Sequence, residues 1–287
     1  MKINCLHTLC LKILLGGSIL FFPIIVLAYQ FDASIIGSKE SYKDKDESSV
    51  IGLNMQALLY PVESQSGPYA EQAFIARASS INVIAMTYDL DLHQRGSSNF
   101  YSGGLVVTLA EKKSNWVSQF GYLQLQGETD LDLGLSYDSD LENYWLGAGY
   151  YMKPTVMVST TVDHTEVRVL NLRYEELSIE FGIKALFDDI NLEMDIRHIL
   201  YDDNGEEEEN IEGQLAIDYY INPSTSIGGY LGINRGNSDR EEYDEIEINF
   251  LKFIRRYYVE LAYIKTNDKL DEDLSSYGYS ATFGVRW

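Results

Sequence analysis

The sequence predicts an all-β protein: a transmembrane, antiparallel up-and-down β-barrel of about fourteen strands, within a range of twelve to sixteen. Three observations predict this fold class. Apolar and polar residues alternate with period two over much of the chain, the connections between these segments are alternately long and short, and the segments are long enough to cross a bilayer at a tilt.

The first 28 residues have a different pattern from the rest. Lys2 and Lys12 precede an uncharged apolar run, Ile13–Ala28, which contains Pro23 and ends in a small residue. This is the three-part layout of a secretory signal, and the run is shorter than the ~20 residues that a membrane-spanning helix needs. We therefore expect cleavage after Ala28, with residues 29–287 forming one barrel domain; a transmembrane helix is the alternative.

Composition excludes several classes of protein. The 287 residues include 44 Asp and Glu against 22 Lys and Arg, a net charge of −22, which disfavours binding to nucleic acid phosphates. A hydrophobic content of 45% is too high for an acidic disordered chain. Because Cys5 and Cys10 both lie in the leader, we expect neither a disulfide nor a cysteine metal site in the barrel.

Alternation is clearest in Ile190–Arg197, where four apolar residues at even positions separate four polar ones. On a helix this pattern would spread charge around the whole circumference, so it predicts a strand with two different faces. The same pattern occurs in Leu177–Phe187, Ile211–Ile221 and Tyr277–Trp287. The predicted strands lie near residues 29–37, 49–60, 79–92, 100–110, 116–127, 143–152, 156–166, 177–187, 190–201, 211–222, 225–236, 243–254, 257–267 and 277–287.

Two connections fit this pattern poorly. Val167–Glu176 could extend a strand above the membrane or form a hairpin of its own, which would change the strand count by two. Pro61–Ala78 is too long for a simple turn, and we expect a short helix in it. The other long, charged connections include Gly127–Asn143, and they are expected at the extracellular end of the barrel.

The faces of the strands indicate a membrane barrel, with a secreted soluble β-protein as the alternative. In a membrane barrel the apolar face meets lipid and the polar face lines the interior. Aromatic residues near the strand ends are expected to form the interfacial girdles. These residues are Trp116, Tyr144, Trp145, Tyr219, Tyr220, Tyr257 and Tyr258.

Short stretches resemble known outer-membrane barrels. Tyr277–Trp287 resembles the C-terminal assembly signal of Gram-negative barrels, in Tyr277, Tyr279, Phe283, Val285 and Trp287, although those proteins usually end in Phe. Leu53–Ser80, with its Gly-Pro, Ala-Glu, Ala-Phe and Arg-Ala-Ser steps, resembles uncharacterised porin-type proteins of Gram-negative bacteria, and so does Ile221–Ile227. The resemblance implies an outer-membrane barrel inserted by the barrel-assembly machinery, in contact with outer-membrane lipids and lipopolysaccharide.

The polar strand faces predict the lining of the lumen. They hold nine acidic and three basic residues, and glycines there, such as Gly228 and Gly284, are expected to leave space for water. A charged lining of this kind attracts cations and repels anions. The alternative is that the charges pair and fill the interior. The predicted lumen residues are Asp163, Glu180, Lys184, Glu193, Asp195, Arg197, Glu212, Asp218, Glu245, Glu247, Glu260 and Arg286.

Other chemistry is weakly indicated. His93, His164 and His198 belong to no serine–histidine motif, and we interpret them as surface residues. The acidic run Asp202–Glu209 lacks the ligand spacing of a calcium loop, so we interpret it as solvated, with divalent bridging to lipopolysaccharide as an alternative.

The sequence thus predicts a porin-like channel for passive diffusion of small hydrophilic solutes, with a cation preference. It predicts no cofactor, no metal and no enzyme activity. A plugged structural or surface-interaction barrel and a barrel-embedded hydrolase are the alternatives. The pattern does not specify the permeating solute or the oligomeric state.

Overall fold

A computed structural model describes residues 30–43, 46–59, 68–92, 96–111, 114–131, 135–169, 172–203, 206–236, 242–269 and 275–286. The predicted leader, His93 and Trp287 lie outside these ranges. The strands are β1 (Gln30–Tyr42), β2 (Glu47–Leu58), β3 (Ser80–Leu92), β4 (Gly96–Ala110), β5 (Trp116–Leu131), β6 (Leu135–Lys153), β7 (Val156–Val169), β8 (Leu172–Phe187), β9 (Ile190–Asp203), β10 (Glu206–Asn222), β11 (Thr225–Gly236), β12 (Tyr243–Ile254), β13 (Tyr257–Asp268) and β14 (Ser276–Arg286). One helix, α1 (Gln72–Ile75), lies between β2 and β3.

The fourteen strands form one closed antiparallel barrel in which each strand pairs with its neighbours in the chain. β1 closes the barrel against β14, with Asp32 opposite Arg286 and Tyr42 opposite Ser276. Closure gives every strand two partners, so no edge is left with unpaired backbone groups, as a structure in lipid requires. The predicted fold class and strand count are confirmed.

The outer surface of the barrel carries a belt of apolar side chains. Leu146 and Phe181 are 66% and 63% exposed, and isoleucines on β9–β12 are similarly open. A water-soluble protein does not expose such a continuous apolar surface, whereas a barrel in a bilayer requires one. No helix in the described part of the chain has the length and apolar content for a membrane span.

Two aromatic girdles border the belt, but some of their predicted members are elsewhere. Trp116, Tyr144, Tyr219 and Tyr257 are exposed on the outside, as expected. The prediction was wrong for three others, because consecutive residues of a strand point to opposite faces, so that neighbours such as Tyr144 and Trp145 cannot both meet lipid. The predicted girdle residues that lie inside the barrel are Trp145, Tyr220 and Tyr258.

Strands β3 to β8 continue beyond the belt at the end away from the short turns. β6 has 19 residues, and the predicted loop Gly127–Asn143 is mostly strand in β5 and β6. Val167–Glu176 likewise belongs to the tips of β7 and β8, so it extends existing strands without adding to the strand count. We call this projection the crown: residues 87–92, 96–101, 124–131, 135–142, 164–169 and 172–176. Because outer-membrane barrels have their short turns in the periplasm, the crown is extracellular.

Candidate functional site

The twelve predicted lumen residues lie on the inner wall of the barrel. In β9, for example, Glu193, Asp195 and Arg197 alternate with residues of the lipid-facing belt. All twelve belong to β7–β14. By contrast, the inward positions of β2–β6 from Ser48 to Tyr151 hold no charged side chain within the described ranges. Since β4 and β11 are seven strands apart in a ring of fourteen, an uncharged wall faces an acidic wall across the lumen.

Arg197 is the centre of the densest charge cluster. Its Nη2 lies 2.9 Å from Asp163 Oδ1 and 3.0 Å from Glu176 Oε1, and its Nη1 lies 3.6 Å from Glu212 Oε2. Its Nε also donates to Ser178 Oγ at 2.7 Å, and Ser178 donates to Asp163 at 2.5 Å. One guanidinium therefore compensates three carboxylates, which fixes the side chains of four adjacent strands.

The other two predicted basic residues are also paired. Lys184 contacts Glu193 and lies 2.9 Å from Glu71 Oε2, a residue outside the barrel strands. Arg286 lies 2.8 Å from Asp32 Oδ2 across the β1–β14 closure. The three bases are thus used in local ion pairs, and their charge does not offset the rest of the acidic wall.

Six of the predicted acids have no Lys or Arg within 4 Å among the described residues. Their hydrogen bonds come from neutral groups: Asn191 donates to Asp218 at 3.2 Å, and Thr266 donates to Glu245 at 3.2 Å. We call these residues the acidic tract: Glu180, Asp195, Asp218, Glu245, Glu247 and Glu260. A line of half-buried carboxylates without an ion-pair partner among the described residues gives this wall a negative potential.

Arg197→Met is expected to lower the free energy of unfolding by about 3 kcal/mol, because it leaves three clustered carboxylates without their cation. Urea titration of refolding in lipid vesicles measures this difference. The matched control is Arg173→Met in the crown, where Arg173 pairs with Glu166 and Glu175 but is itself 58% exposed, against 26% for Arg197, and the expected change is below about 0.5 kcal/mol. Equal losses in both variants would contradict the proposed dependence on burial.

A segment between β2 and β3 lies across the periplasmic end of the lumen. We call Pro68–Ser79, which includes α1, the plug. Glu71 pairs with Lys184 and accepts a hydrogen bond from Tyr220 Oη at 3.0 Å. Tyr151 Oη donates to the carbonyl oxygen of Phe74 at 3.1 Å, and the two rings are 5.4 Å apart. The predicted short helix is thus a one-turn helix anchored inside the barrel.

Contacts on the opposite side complete the attachment of the plug. Tyr69 N donates to Pro223 O at 2.8 Å, and Arg286 Nη1 donates to Tyr69 O at 2.7 Å. Arg77 reaches Asn115 in the β4–β5 turn at 2.8 Å. Because these partners lie on β6, β8, β10 and β14 and in the β4–β5 and β10–β11 turns, the plug narrows the mouth. A cavity of about 460 Å³ remains beside it, bordered by Phe74 and by Glu180.

Several inward glycines do not leave the water-filled space that was predicted from their lack of a side chain. A Cβ at Gly228 would lie 2.0 Å from Asp218 Oδ1, and one at Gly284 would lie 2.1 Å from the Tyr258 ring. These positions are occupied by the side chains of neighbouring strands, so the glycines accommodate tract carboxylates and aromatic rings. Gly147 and Gly149 differ, since they line the cavity beside the plug.

Sequence reasoning missed several acidic residues of the lumen, among them Asp32, Glu40, Glu71 and Glu176. Asp32 and Glu40 share the inward parity of β1, and alternation of Asp32, Ser34, Ser38 and Glu40 was the signal that could have identified them. Glu176 lies in the stretch Val167–Glu176, which was predicted either to extend a strand or to form a hairpin of its own, so its face was not assigned. Glu71 had no pattern to reveal it, because an inward-folded connection has no periodicity.

The remaining predicted groups lie on the outside or beyond the described residues. His164 and His198 face outward. The Nε2 atom of His164 lies 3.4 Å from Glu175 Oε2, and that of His198 lies 3.3 Å from Glu209 Oε2. No group of three His, Cys, Asp or Glu suited to a metal occurs among the residues that the structure describes. Of the predicted assembly signal, the aromatic residues Tyr277, Tyr279 and Phe283 are exposed in the belt.

Comparison with known proteins identifies the fold. Neither a protein-family model nor a curated protein sequence matches the chain. Among solved structures, Omp33, an outer-membrane protein of Acinetobacter baumannii, matches with a TM-score of 0.56 and 17% identity, over 90% of this chain and 98% of that one. The barrel has the architecture of an outer-membrane β-barrel protein. This fold and the lipid-facing belt together place the protein in a bacterial outer membrane.

Two further structures share the architecture. The monoaromatic hydrocarbon channel TodX matches with a TM-score of 0.54 and 7% identity, over 90% of this chain and 88% of that one. An anion-selective porin from Comamonas acidovorans matches with a TM-score of 0.50 and 8% identity, over 91% of this chain and 99% of that one. At these identities the likeness concerns the fold alone, so the solute must be argued from the lumen.

Proposed function

We propose that the protein is an outer-membrane channel for passive diffusion of small hydrophilic solutes, with a preference for cations. The observation that carries this proposal is the acidic tract, whose six carboxylates lie on one wall without a neighbouring cation. Charged side chains that line a pore determine which ions enter it. No chemical step is required, and no residue is assigned a catalytic role.

The fold does not determine the sign of the selectivity. The architecture shared with an anion-selective porin shows that barrels of this kind also conduct anions. In this chain the three predicted lumen bases are held in ion pairs with Asp163, Glu193 and Asp32, which leaves the acidic tract as the uncompensated charge. The proposed preference therefore depends on these side chains.

The proposal includes the maturation and surroundings of the barrel. Residues 29–287 form a single barrel domain after cleavage of a signal peptide. The barrel-assembly machinery inserts it through the lipid-facing residues of β14, and lipopolysaccharide surrounds its extracellular end. Radiolabelled pulse–chase analysis of the exported chain would detect the cleavage as a shift to smaller mass.

Single-channel recording in planar bilayers under a KCl gradient tests the function. We expect stepwise conductance. We also expect a reversal potential whose sign corresponds to a higher permeability for K⁺ than for Cl⁻, because the tract concentrates cations in the lumen. A reversal potential that corresponds to a higher permeability for Cl⁻ than for K⁺ would overturn the proposed cation preference. Complete absence of conductance in correctly folded protein would overturn the channel function.

A structural or surface-interaction barrel is the second candidate, and the plug is the observation that favours it. Six strands or turns hold the plug at the periplasmic mouth, through contacts that include Glu71–Lys184 and Arg77–Asn115. A plug that never moves would leave a closed barrel whose exposed crown contacts lipopolysaccharide or another cell. Zero conductance both in the wild type and after the plug contacts are removed would support this candidate.

A further inference from the structure

The crown inverts the polarity of the membrane-embedded wall. In the belt, apolar residues face out and polar residues face in. In the crown the same strands place Glu128, Asp130 and Asp138 on the exposed outer surface. Many of their inward positions are apolar, and Leu125 pairs in register with Leu141, which pairs with Val167. This arrangement resembles a water-soluble barrel with an apolar interior, which a lumen for hydrophilic solutes does not require.

The apolar interior of the crown borders an open cavity of about 420 Å³. We call it the crown pocket. Its main lining residues are Leu90, Phe100, Leu125, Tyr137, Leu141 and Val167. Ser98 and Thr129 also line it, but their hydroxyl groups are 2.9 Å apart and satisfy each other. Asp140 contributes to the wall, while strand alternation directs its side chain away from the face shared by Ser139 and Leu141.

The walls of the crown pocket are packed, so the empty volume is not a loosely assembled core. The Phe100 ring covers Gly127 so closely that a Cβ there would lie 2.0 Å from it, and the Tyr88 and Phe100 ring centroids are 5.9 Å apart. Protein cores contain few voids larger than a water molecule, whereas ligand pockets enclose about 300–1,000 Å³ and are lined mainly by apolar and aromatic residues. The crown pocket has the volume and the apolar, aromatic lining of a ligand pocket.

We propose that the crown pocket binds a neutral, predominantly apolar small molecule, of about the size of a fused two-ring aromatic hydrocarbon. The lining excludes a charged ligand, because no charged side chain points into it to compensate for desolvation. Its extracellular position makes it a site for compounds that arrive from outside the cell. This proposal is independent of ion conduction, since the acidic tract lies on β8–β10, β12 and β13 and contributes no residue to the pocket.

Equilibrium dialysis with radiolabelled naphthalene tests the proposal on the folded protein in lipid nanodiscs, with empty nanodiscs of the same lipid to subtract partitioning. We expect saturable binding of one equivalent. Leu141→Asn is expected to weaken it about tenfold, because the new amide makes the pocket wall polar. Ser139→Phe is expected to abolish it by filling the volume with an apolar ring.

The matched control is Ile84→Asn, which makes the same kind of change at an inward position of β3 that lines no part of the crown pocket. It is expected to leave naphthalene binding unchanged. Binding that never exceeds the empty-nanodisc level overturns the proposal. Binding that persists undiminished in folded Ser139→Phe also overturns it, because the pocket would then not be the site.

Discussion

Replacing Glu245, Glu247 and Glu260 by glutamine is expected to lower the cation-to-anion permeability ratio by about threefold. These three residues of the acidic tract lie on adjacent strands β12 and β13 and have no Lys or Arg within 4 Å in the described part of the chain. Glutamine keeps the size and shape of glutamate and one acceptor oxygen, but it removes the charge. The reversal potential in a KCl gradient should therefore move toward zero while the single-channel current persists.

The control triple variant changes exposed acids of the crown: Glu128→Gln, Asp130→Asn and Asp138→Asn. It removes the same net charge from the molecule, but these carboxylates are in water and are screened over about 8–10 Å at physiological salt. Its reversal potential should remain close to that of the wild type. If both triple variants shift the potential equally, the selectivity comes from the net charge of the protein and the role of the tract is wrong.

Glu71→Ala combined with Phe74→Ala is expected to increase single-channel conductance about twofold, because it removes the side-chain contacts of the plug with Lys184, Tyr220 and the Tyr151 ring. Lys184 keeps its ion pair with Glu193, so the variant leaves no unpaired lysine in the barrel wall. The closed strand ladder does not include the plug, and the thermal stability of the barrel should change little. Conductance and thermal unfolding are measured on the same preparation.

The matched control is Glu128→Ala combined with Phe120→Ala, which removes the same two types of side chain from the outer surface. It should leave conductance unchanged. An unchanged conductance in the plug variant, with the barrel folded, would show that solutes do not pass the plug. The plug would then be a fixed part of a closed barrel.

The outward and inward faces of the strands could be predicted because each strand carries its own alternation. Ile190–Arg197 specifies its two faces by itself, and the pairing of β9 with β8 and β10 follows from chain order in a meander. For this reason the fold class, the strand count and the inward positions of residues such as Glu193 and Asp195 were accessible from the sequence.

Two features of the strands misled the prediction. Charged outward residues such as Asp138 were interpreted as loops, although β6 continues through them with its polarity inverted. Adjacent aromatic pairs such as Tyr219 and Tyr220 were assigned together to the membrane interface, although one of each pair lies inside. The first error arose because the environment depends on height along the barrel, which residue alternation does not encode. The second arose because residue type was given more weight than alternation, which places neighbouring residues on opposite faces.

The sequence by itself determined the repeating pattern: a closed meander, an apolar belt and an acidic inner face, because each depends on alternation within one strand. Only the tertiary structure decided which carboxylates share Arg197, Lys184 or Arg286 and which remain uncompensated. It also decided the plug and the crown pocket. These features arise where side chains from distant strands, or from a connection without periodicity, meet across the lumen, and such meetings depend on closure of the barrel.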